Sequence, residues 1–151
     1  MKTTLRLLIW FAAVVVLMSE EKAKALGVKP LARIVSTGTF AQEPEWFTTA
    51  PVGATQKLLQ QIGWSAKDVD LWEVNEAFAV VPMALMAELK VPHDIVNVNG
   101  GAIALGHPVG MSGTRLALTA LLELRRRGGG VGAVALCGGG GQGDAAILRT
   151  L

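Results

Sequence analysis

Cysteine is almost missing from this 151-residue sequence, in which Cys137 is the only one. Histidine is nearly as rare, with His93 and His107 alone. One cysteine permits no internal disulfide, which excludes the small secreted scaffolds that disulfides stabilise. The same three residues lack the number and spacing of a zinc site, so no metal is expected. We therefore expect a cytoplasmic protein.

Charge is also sparse, since charged residues make up 17% of the chain and the formal net charge is +2. No basic stripe with interleaved aromatic residues is present, so we expect no nucleic-acid partner. No apolar run reaches the about 20 residues of a membrane span, so we expect no membrane partner. Apolar residues amount to 51%, which excludes a disordered chain and suits one domain with a buried core.

The first 27 residues allow two interpretations. An apolar run over Leu7–Met18, followed by Ala23-Lys24-Ala25, resembles a secretory signal with a cleavage site, and the protein would then be exported. The alternative is a buried strand from Ala12 and then a helix, with Ser19 as N-cap and Gly27 just past its end. The charged residues after Ser19 favour the strand and the helix.

Strand-like and helix-like segments alternate along the rest of the chain. Helices are predicted over 51–62, 77–90 and 112–127, with Ser112 capping the last, and strands over 31–39, 69–74, 95–98, 131–136 and 145–148. Alternation that ends in two adjacent strands predicts an α/β fold, here a mixed five-stranded sheet covered by helices.

Glycine is abundant, and many of the 18 glycines lie at 100–113 and 128–143. The first cluster surrounds His107 in the stretch Asn97–Arg115, where repeated glycines allow positive φ and close backbone approach. Asn75 and Cys137 each follow a predicted strand, at the strand ends where α/β proteins gather ligands. Taken singly, these residues are ordinarily a helix cap, a structural histidine and an inert core thiol; their coincidence at strand ends predicts a site.

Two nucleotide-binding patterns are excluded. Gly138, Gly140 and Gly143 match the spacing GxGxxG, but a strand rather than a helix is predicted to follow. No GK[ST] triplet occurs, so there is no phosphate-binding P-loop.

Three motifs together resemble the C-terminal motifs of the thiolases. They are Asn75-Glu76-Ala77-Phe78, the glycine-rich stretch from Asn97 to Arg115, and the run from Cys137 to Gly143. The resemblance extends over about 12–151 and implies a thiolase-like C-terminal domain, with residues 1–11 as an unmatched start.

The resemblance also implies a chemistry, namely thiolysis of a 3-ketoacyl-CoA or Claisen condensation of acyl-CoAs. His107 matches the histidine that activates a cysteine nucleophile, and Asn75 matches the asparagine that holds a water of the same oxyanion hole. Cys137 matches the acid/base at the substrate α-carbon, and the Gly139 N–H matches a donor of the second oxyanion hole. Coenzyme A and its thioesters are the implied substrates, and no permanently bound cofactor is expected.

The sequence departs from the family in one respect, because its only cysteine matches the acid/base and not the nucleophile. We therefore expect a missing N-terminal thiolase half as partner, a chain inactive on its own, and a homo-oligomer in the complete enzyme. The alternative is a non-catalytic remnant or interaction module that pairs with a thiolase-like subunit.

Overall fold

A computed structural model of the protein describes residues 12–151. Residues 1–11, separated above as an unmatched start, lie outside this part, as does much of the signal-like run. The helices are α1 Glu20–Ala25, α2 Ala50–Ile62, α3 Val80–Leu89, α4 Ala102–Leu105 and α5 Val109–Arg126. The strands are β1 Ala32–Ala41, β2 Leu71–Val74, β3 Val131–Gly138 and β4 Gln142–Thr150, with 3-10 turns at Pro44–Thr49, Ala66–Asp68 and His93–Ile95.

The strands form one mixed sheet in the order β1-β4-β3-β2. Strand β4 runs antiparallel to both β1 and β3, whereas β2 and β3 are parallel. The predicted mixed α/β sheet is confirmed, but the prediction of five strands is wrong, because the sheet has four strands within residues 12–151. Where the strand over 95–98 was expected, only a single bridge joins Val96 to Trp72. Asn97 follows with φ of 48°, which ends the extended conformation there.

Helices cover both faces of the sheet. Helix α2 packs against β1 and β4, and α5 packs against β2 and β3. Side chains alternate between the faces of a strand, so the neighbours Leu71 and Trp72 lie in different clusters. Trp72 joins Leu58 and Ile147 on one face, while Leu71 joins Leu116 on the other. All five are fully buried, which fixes the register of β2 and with it the position of the residues that follow.

Helix α3 begins three residues later than predicted, at Val80 instead of Ala77. Pro82 therefore lies in its first turn, where backbone N–H groups have no partner within the helix and the missing N–H of proline costs nothing. Residues 75–79 are thereby freed from the helix and form an irregular segment directly after β2.

The segment before α1 does not form the predicted buried strand. Residues 12–18 have no regular secondary structure, and Val14 and Val16 are 82% and 79% exposed. A strand exists only where a neighbour completes its hydrogen bonds, and none of the four described strands pairs with this segment. Helix α1 is confirmed, with the Lys22 N–H donating to Ser19 Oγ at 3.2 Å and Gly27 at φ 64°. Between residues 12 and 151, no helix is long and apolar enough to cross a membrane.

Candidate active site

The two parallel strands bring two of the predicted site residues to one edge of the sheet. The Asn75 N–H donates to the Ala135 carbonyl at 2.9 Å, just beyond the end of β2. Cys137 lies two residues beyond Ala135 on β3. Because parallel strands end at the same edge, Asn75 and Cys137 lie at the same edge of the sheet, as predicted.

Asn97 holds the outer side of β2 at this point. Its side-chain amide donates to the Val74 carbonyl at 2.9 Å, and its Oδ1 accepts from the Val74 N–H at 2.8 Å. Among the described strands none lies on this side of β2, and the Asn97 amide supplies the hydrogen bonds that such a strand would make to Val74. Asparagine also tolerates the left-handed conformation that Asn97 adopts.

Glu76 connects the segment after β2 to the glycine-rich loop. Its carboxylate accepts from the Asn97 amide at 2.9 Å and from the Ile103 N–H at 3.0 Å. Gly101 lies so close to this carboxylate that a Cβ on Gly101 would overlap it. The glycine is therefore required for close approach, and the loop that carries His107 is positioned by Glu76.

This arrangement brings Asn75 and His107 together. The Asn75 side-chain nitrogen lies 3.2 Å from Nε2 of His107, although 32 residues separate them in the chain. Asn75 is fully buried, whereas His107 is exposed. The Asn75 Oδ1 is also buried and has no hydrogen-bond partner within the described residues. An exposed imidazole that meets a buried amide is suited to help bind a carbonyl oxygen on which negative charge develops.

The other imidazole nitrogen contacts Ser112. Nδ1 of His107 lies 2.6 Å from Ser112 Oγ, and the Ser112 hydroxyl donates to the Pro108 carbonyl at 3.0 Å. Ser112 was predicted as the N-cap of the helix, but α5 begins at Val109 with Pro108 as its N-cap. Proline fits this position because it needs no N–H there. Ser112 consequently lies in the first turn of α5 with its side chain fully buried.

Cys137 lies on β3 and Gly139 directly after it, at the edge of the sheet where Asn75 follows β2. In residues 12–151, no hydrogen bond joins the Cys137 thiol to Asn75 or His107. The thiol is half-buried, and burial raises its pKa, so it is held as a neutral thiol at neutral pH. Gly139 lies in the turn after β3, where a Cβ would have no heavy atom within 4 Å. Gly139 itself is exposed.

Two buried charged groups lie behind the site, on the elements that carry Asn75 and Ser112. Burial raises the pKa of Glu73 on β2 to about 7, while the Arg115 guanidinium on α5 opposes that rise. The Glu73 carboxylate and the Arg115 guanidinium are both buried without a hydrogen-bond partner among the described residues. Neither was predicted, because a glutamate inside the strand-like run VDLWEV carries no sequence signal of its own.

Sequence reasoning also missed the roles of Glu76, Asn97 and Ser112. All three stand inside the motifs that were noticed, but their partners are distant in the chain, as in the bond from Asn97 back to Val74. Such pairings depend on the fold and not on spacing. In the part of the chain that the structure describes, no group of three or more histidine, cysteine or acidic residues is suited to hold a metal ion.

Comparison with known proteins identifies the family and the fold. The family model described as "Thiolase, C-terminal domain" matches residues 28–150. A probable acetyl-CoA acetyltransferase of Mycobacterium tuberculosis is 54% identical over 138 residues, which are 91% of this chain and 35% of that protein. An acetyl-CoA acetyltransferase of Shinella zoogloeoides is 47% identical over 140 residues, which are 93% of this chain and 36% of that protein.

Solved thiolase structures share the fold. Human mitochondrial 3-ketoacyl-CoA thiolase superposes with a TM-score of 0.85 at 45% identity, over 88% of this chain and 34% of that one. The Acat5 thiolase of Ascaris suum, crystallised in complex with coenzyme A, gives a TM-score of 0.86 at 38% identity, over 94% of this chain and 38% of that one.

The chain thus spans about a third of the length of the relatives that it matches. The match takes in the strand ends, the glycine-rich loop and the turn after β3, which are the elements that hold Asn75, His107 and Cys137. The chain belongs to the thiolase family and contains its C-terminal domain.

Proposed function

We propose that this chain supplies the C-terminal half of an active site for acyl transfer between coenzyme A thioesters. The reaction is thiolysis of a 3-ketoacyl-CoA, or the reverse condensation of two acyl-CoAs. The observation that carries the proposal is the convergence of the buried Asn75 amide on Nε2 of the exposed His107. Relatives named as acetyl-CoA acetyltransferases, and a thiolase solved with coenzyme A, support this substrate class.

In this proposal His107 takes the proton from a nucleophilic cysteine, and its Nε2–H then donates to the thioester oxygen. Asn75 holds a water that completes the same oxyanion hole. Its buried Oδ1, which has no partner among residues 12–151, and its Nδ2 beside Nε2 support that role. Charge that develops on the oxygen would thus meet donors that are already oriented.

Cys137 acts at carbon. A neutral thiol at the end of β3 is the form required to return a proton to an enolate, and burial keeps Cys137 in that form. The N–H of Gly139, an exposed residue in the turn after β3, serves as a donor of the second oxyanion hole. A single free cysteine also fits a reducing compartment, so a cytoplasmic location is part of the proposal.

The nucleophilic cysteine lies on a thiolase half outside these 151 residues, because the only cysteine here is Cys137. An exposed apolar rim supports docking of that half around the site, and large exposed apolar patches generally mark interaction surfaces. The rim consists of Phe78, Val80, Met83, Ile103 and Val109, which are 46–83% exposed. The complete assembly is proposed to be a homo-oligomer that uses coenzyme A and acyl-CoA and no permanently bound cofactor.

A chimera tests the proposal. In the chimera, this chain's matching residues replace the corresponding segment of the Mycobacterium tuberculosis relative. Thiolysis of acetoacetyl-CoA by the chimera is then compared with thiolysis by the isolated chain. We expect the chimera to turn over and the isolated chain to be inactive. In the chimera, His107→Ala should lower kcat by at least about a hundredfold, since general bases contribute about 10²–10⁴ in rate.

His93→Ala is the matched control, because His93 is the other histidine and lies exposed in a 3-10 turn. It should leave kcat within about twofold of the unchanged chimera, an effect typical of surface substitutions. A folded chimera without thiolysis would instead support the alternative, a non-catalytic module that retains the fold.

A further inference from the structure

The contact between His107 and Ser112 is short, and the serine that makes it is fully buried. Ser112 Oγ lies 2.6 Å from Nδ1 of His107 and belongs to a residue with no exposed surface. The first turn of α5 holds the serine from both sides, because the Ser112 N–H and the Ser112 hydroxyl both donate to the Pro108 carbonyl. The hydroxyl oxygen therefore has a fixed position.

The hydrogen-bond partners of the two ring nitrogens decide which of them carries the proton of the neutral imidazole. The Pro108 carbonyl, 3.0 Å from Ser112 Oγ, can only accept, so it takes the single proton of the serine hydroxyl when Nδ1 carries a proton of its own. On the other side of the ring, the Asn75 amide nitrogen donates to Nε2 at 3.2 Å, which requires an unprotonated Nε2.

We propose that Ser112 is a positioning residue that fixes the neutral His107 as the tautomer with a proton on Nδ1 and an unprotonated Nε2. The four groups form one hydrogen-bond chain of constant direction, from the Asn75 amide through the imidazole and the Ser112 hydroxyl to the Pro108 carbonyl. Ser112 does not touch substrate in this arrangement and acts only through His107.

The consequence for chemistry rests on the proposed function, whereas the tautomer itself does not. An unprotonated Nε2 is the base that removes a thiol proton, and it gives up its hydrogen bond from the Asn75 amide when that proton arrives. The protonated ring that results has N–H groups on both nitrogens. Nε2–H then donates to the thioester oxygen while Nδ1–H stays bonded to Ser112. The ring need not turn between its two tasks.

Nuclear magnetic resonance on the full 151-residue chain tests the tautomer without any activity. The chain is labelled with ¹⁵N-histidine and studied at about pH 8.5, where an ordinary imidazole is neutral. Two-bond ¹H–¹⁵N correlations show which ring nitrogen carries the proton. The exposed His93 is the internal control and should show the Nε2–H form that unconstrained imidazoles prefer. His107 should show the opposite pattern, with the proton on Nδ1.

Two variants separate the hydroxyl from the helix. Ser112→Ala should shift His107 towards the His93 pattern, with the Asn75 amide left to favour the proton on Nδ1. Thr119→Ala, which removes a hydroxyl two turns further along α5, should leave the pattern unchanged. An Nε2–H form of His107 in the unchanged chain would overturn the proposal, and so would an unaltered pattern in a folded Ser112→Ala variant. Circular dichroism establishes folding, and the unchanged chain decides the first point even if Ser112→Ala does not fold.

The active chimera gives the second readout. Ser112→Ala should lower kcat by about tenfold to a hundredfold at an unchanged KM, the range typical of residues that orient a catalytic ligand. An inactive chimera would count against the proposed function and leave the tautomer measurement valid. The expected tautomer together with an unchanged kcat would overturn the positioning role.

Discussion

The side-chain nitrogen of Asn75 lies 3.2 Å from Nε2 of His107, in a structure where one residue is fully buried and the other is exposed. Strand β2 positions the first, and a glycine-rich loop positions the second. Asn97 and Glu76 connect that strand and that loop by side-chain hydrogen bonds of 2.8–3.0 Å. The site is therefore held together by residues that do not belong to its predicted chemistry.

Removing the Asn75 amide should impair catalysis in the chimera described above. Asn75→Ala deletes the group beside Nε2, and the loss of one oxyanion donor typically lowers kcat about a hundredfold or more. Steady-state thiolysis of acetoacetyl-CoA measures the effect. Asn99→Ala is the control, since the Asn99 amide donates to Glu123 and not to His107, and it should change kcat by less than about threefold. Equal losses in the two variants would contradict the role of Asn75.

Adding one methyl group to Gly101 should destabilise the protein. Gly101→Ala places a Cβ where the Glu76 carboxylate lies, so that the bonds from Glu76 to Asn97 and Ile103 must break or shift. We expect the free energy of unfolding to fall by about 1–3 kcal/mol, as for other overpacked sites, measured by urea denaturation. Gly110→Ala is the matched control, because a Cβ there meets nothing within 4 Å and alanine favours a helix. A loss of stability at Gly110 as large as at Gly101 would refute the account.

Glu73 should make the protein less stable as the pH rises. Burial raises its pKa from 4.5 to about 7, so the folded state binds more protons than the unfolded state between these values. The contribution of Glu73 to the free energy of unfolding is therefore fully present below about pH 4.5. It is lost as the pH rises through 7, by up to about 3 kcal/mol. Glu73→Gln should remove this dependence, whereas the exposed Glu88→Gln should retain it. Urea denaturation at several pH values measures both.

Glu123 should act in the opposite direction. Hydrogen bonds from Arg126, Arg127 and Asn99 hold its pKa well below the ordinary value. This stabilising contribution is present above about pH 4.5 and is lost as the pH falls towards the lowered pKa. Glu123→Gln should therefore be less stable than the unchanged protein at pH 7, with a gap that narrows in acid. A difference in unfolding free energy that stays constant from pH 7 into the acid range would contradict this account, because ionisation of Glu123 would then not stabilise the fold.

Much of the fold could be predicted because local patterns and burial agreed. The run of β-forming residues at Ala32–Ala41 and the apolar stripe of α5 both gave elements close to those observed. The position of Asn75 and Cys137 at one edge followed from the rule that parallel strands end together.

The remaining features depend on partners that a linear sequence does not display. Residues 12–18 have the composition of a buried strand but no strand beside them, and Val96 forms a single bridge because Asn97 turns away. Ser112 has the composition of a helix cap, yet Pro108 takes that position and frees the serine to contact His107. Each difference arises from a long-range contact or from its absence within the described residues.

The central claim is that this chain carries the proton-transfer half of a thioester site, with Cys137 as the acid/base at carbon. The most direct measurement is exchange of the acetyl-CoA methyl protons with deuterium in the chimera, followed by mass spectrometry. We predict exchange in the unchanged chimera and its loss, by at least about a hundredfold, in Cys137→Ala, while the nucleophilic cysteine of the other half is still acetylated. Undiminished exchange in a folded Cys137→Ala chimera would contradict the claim.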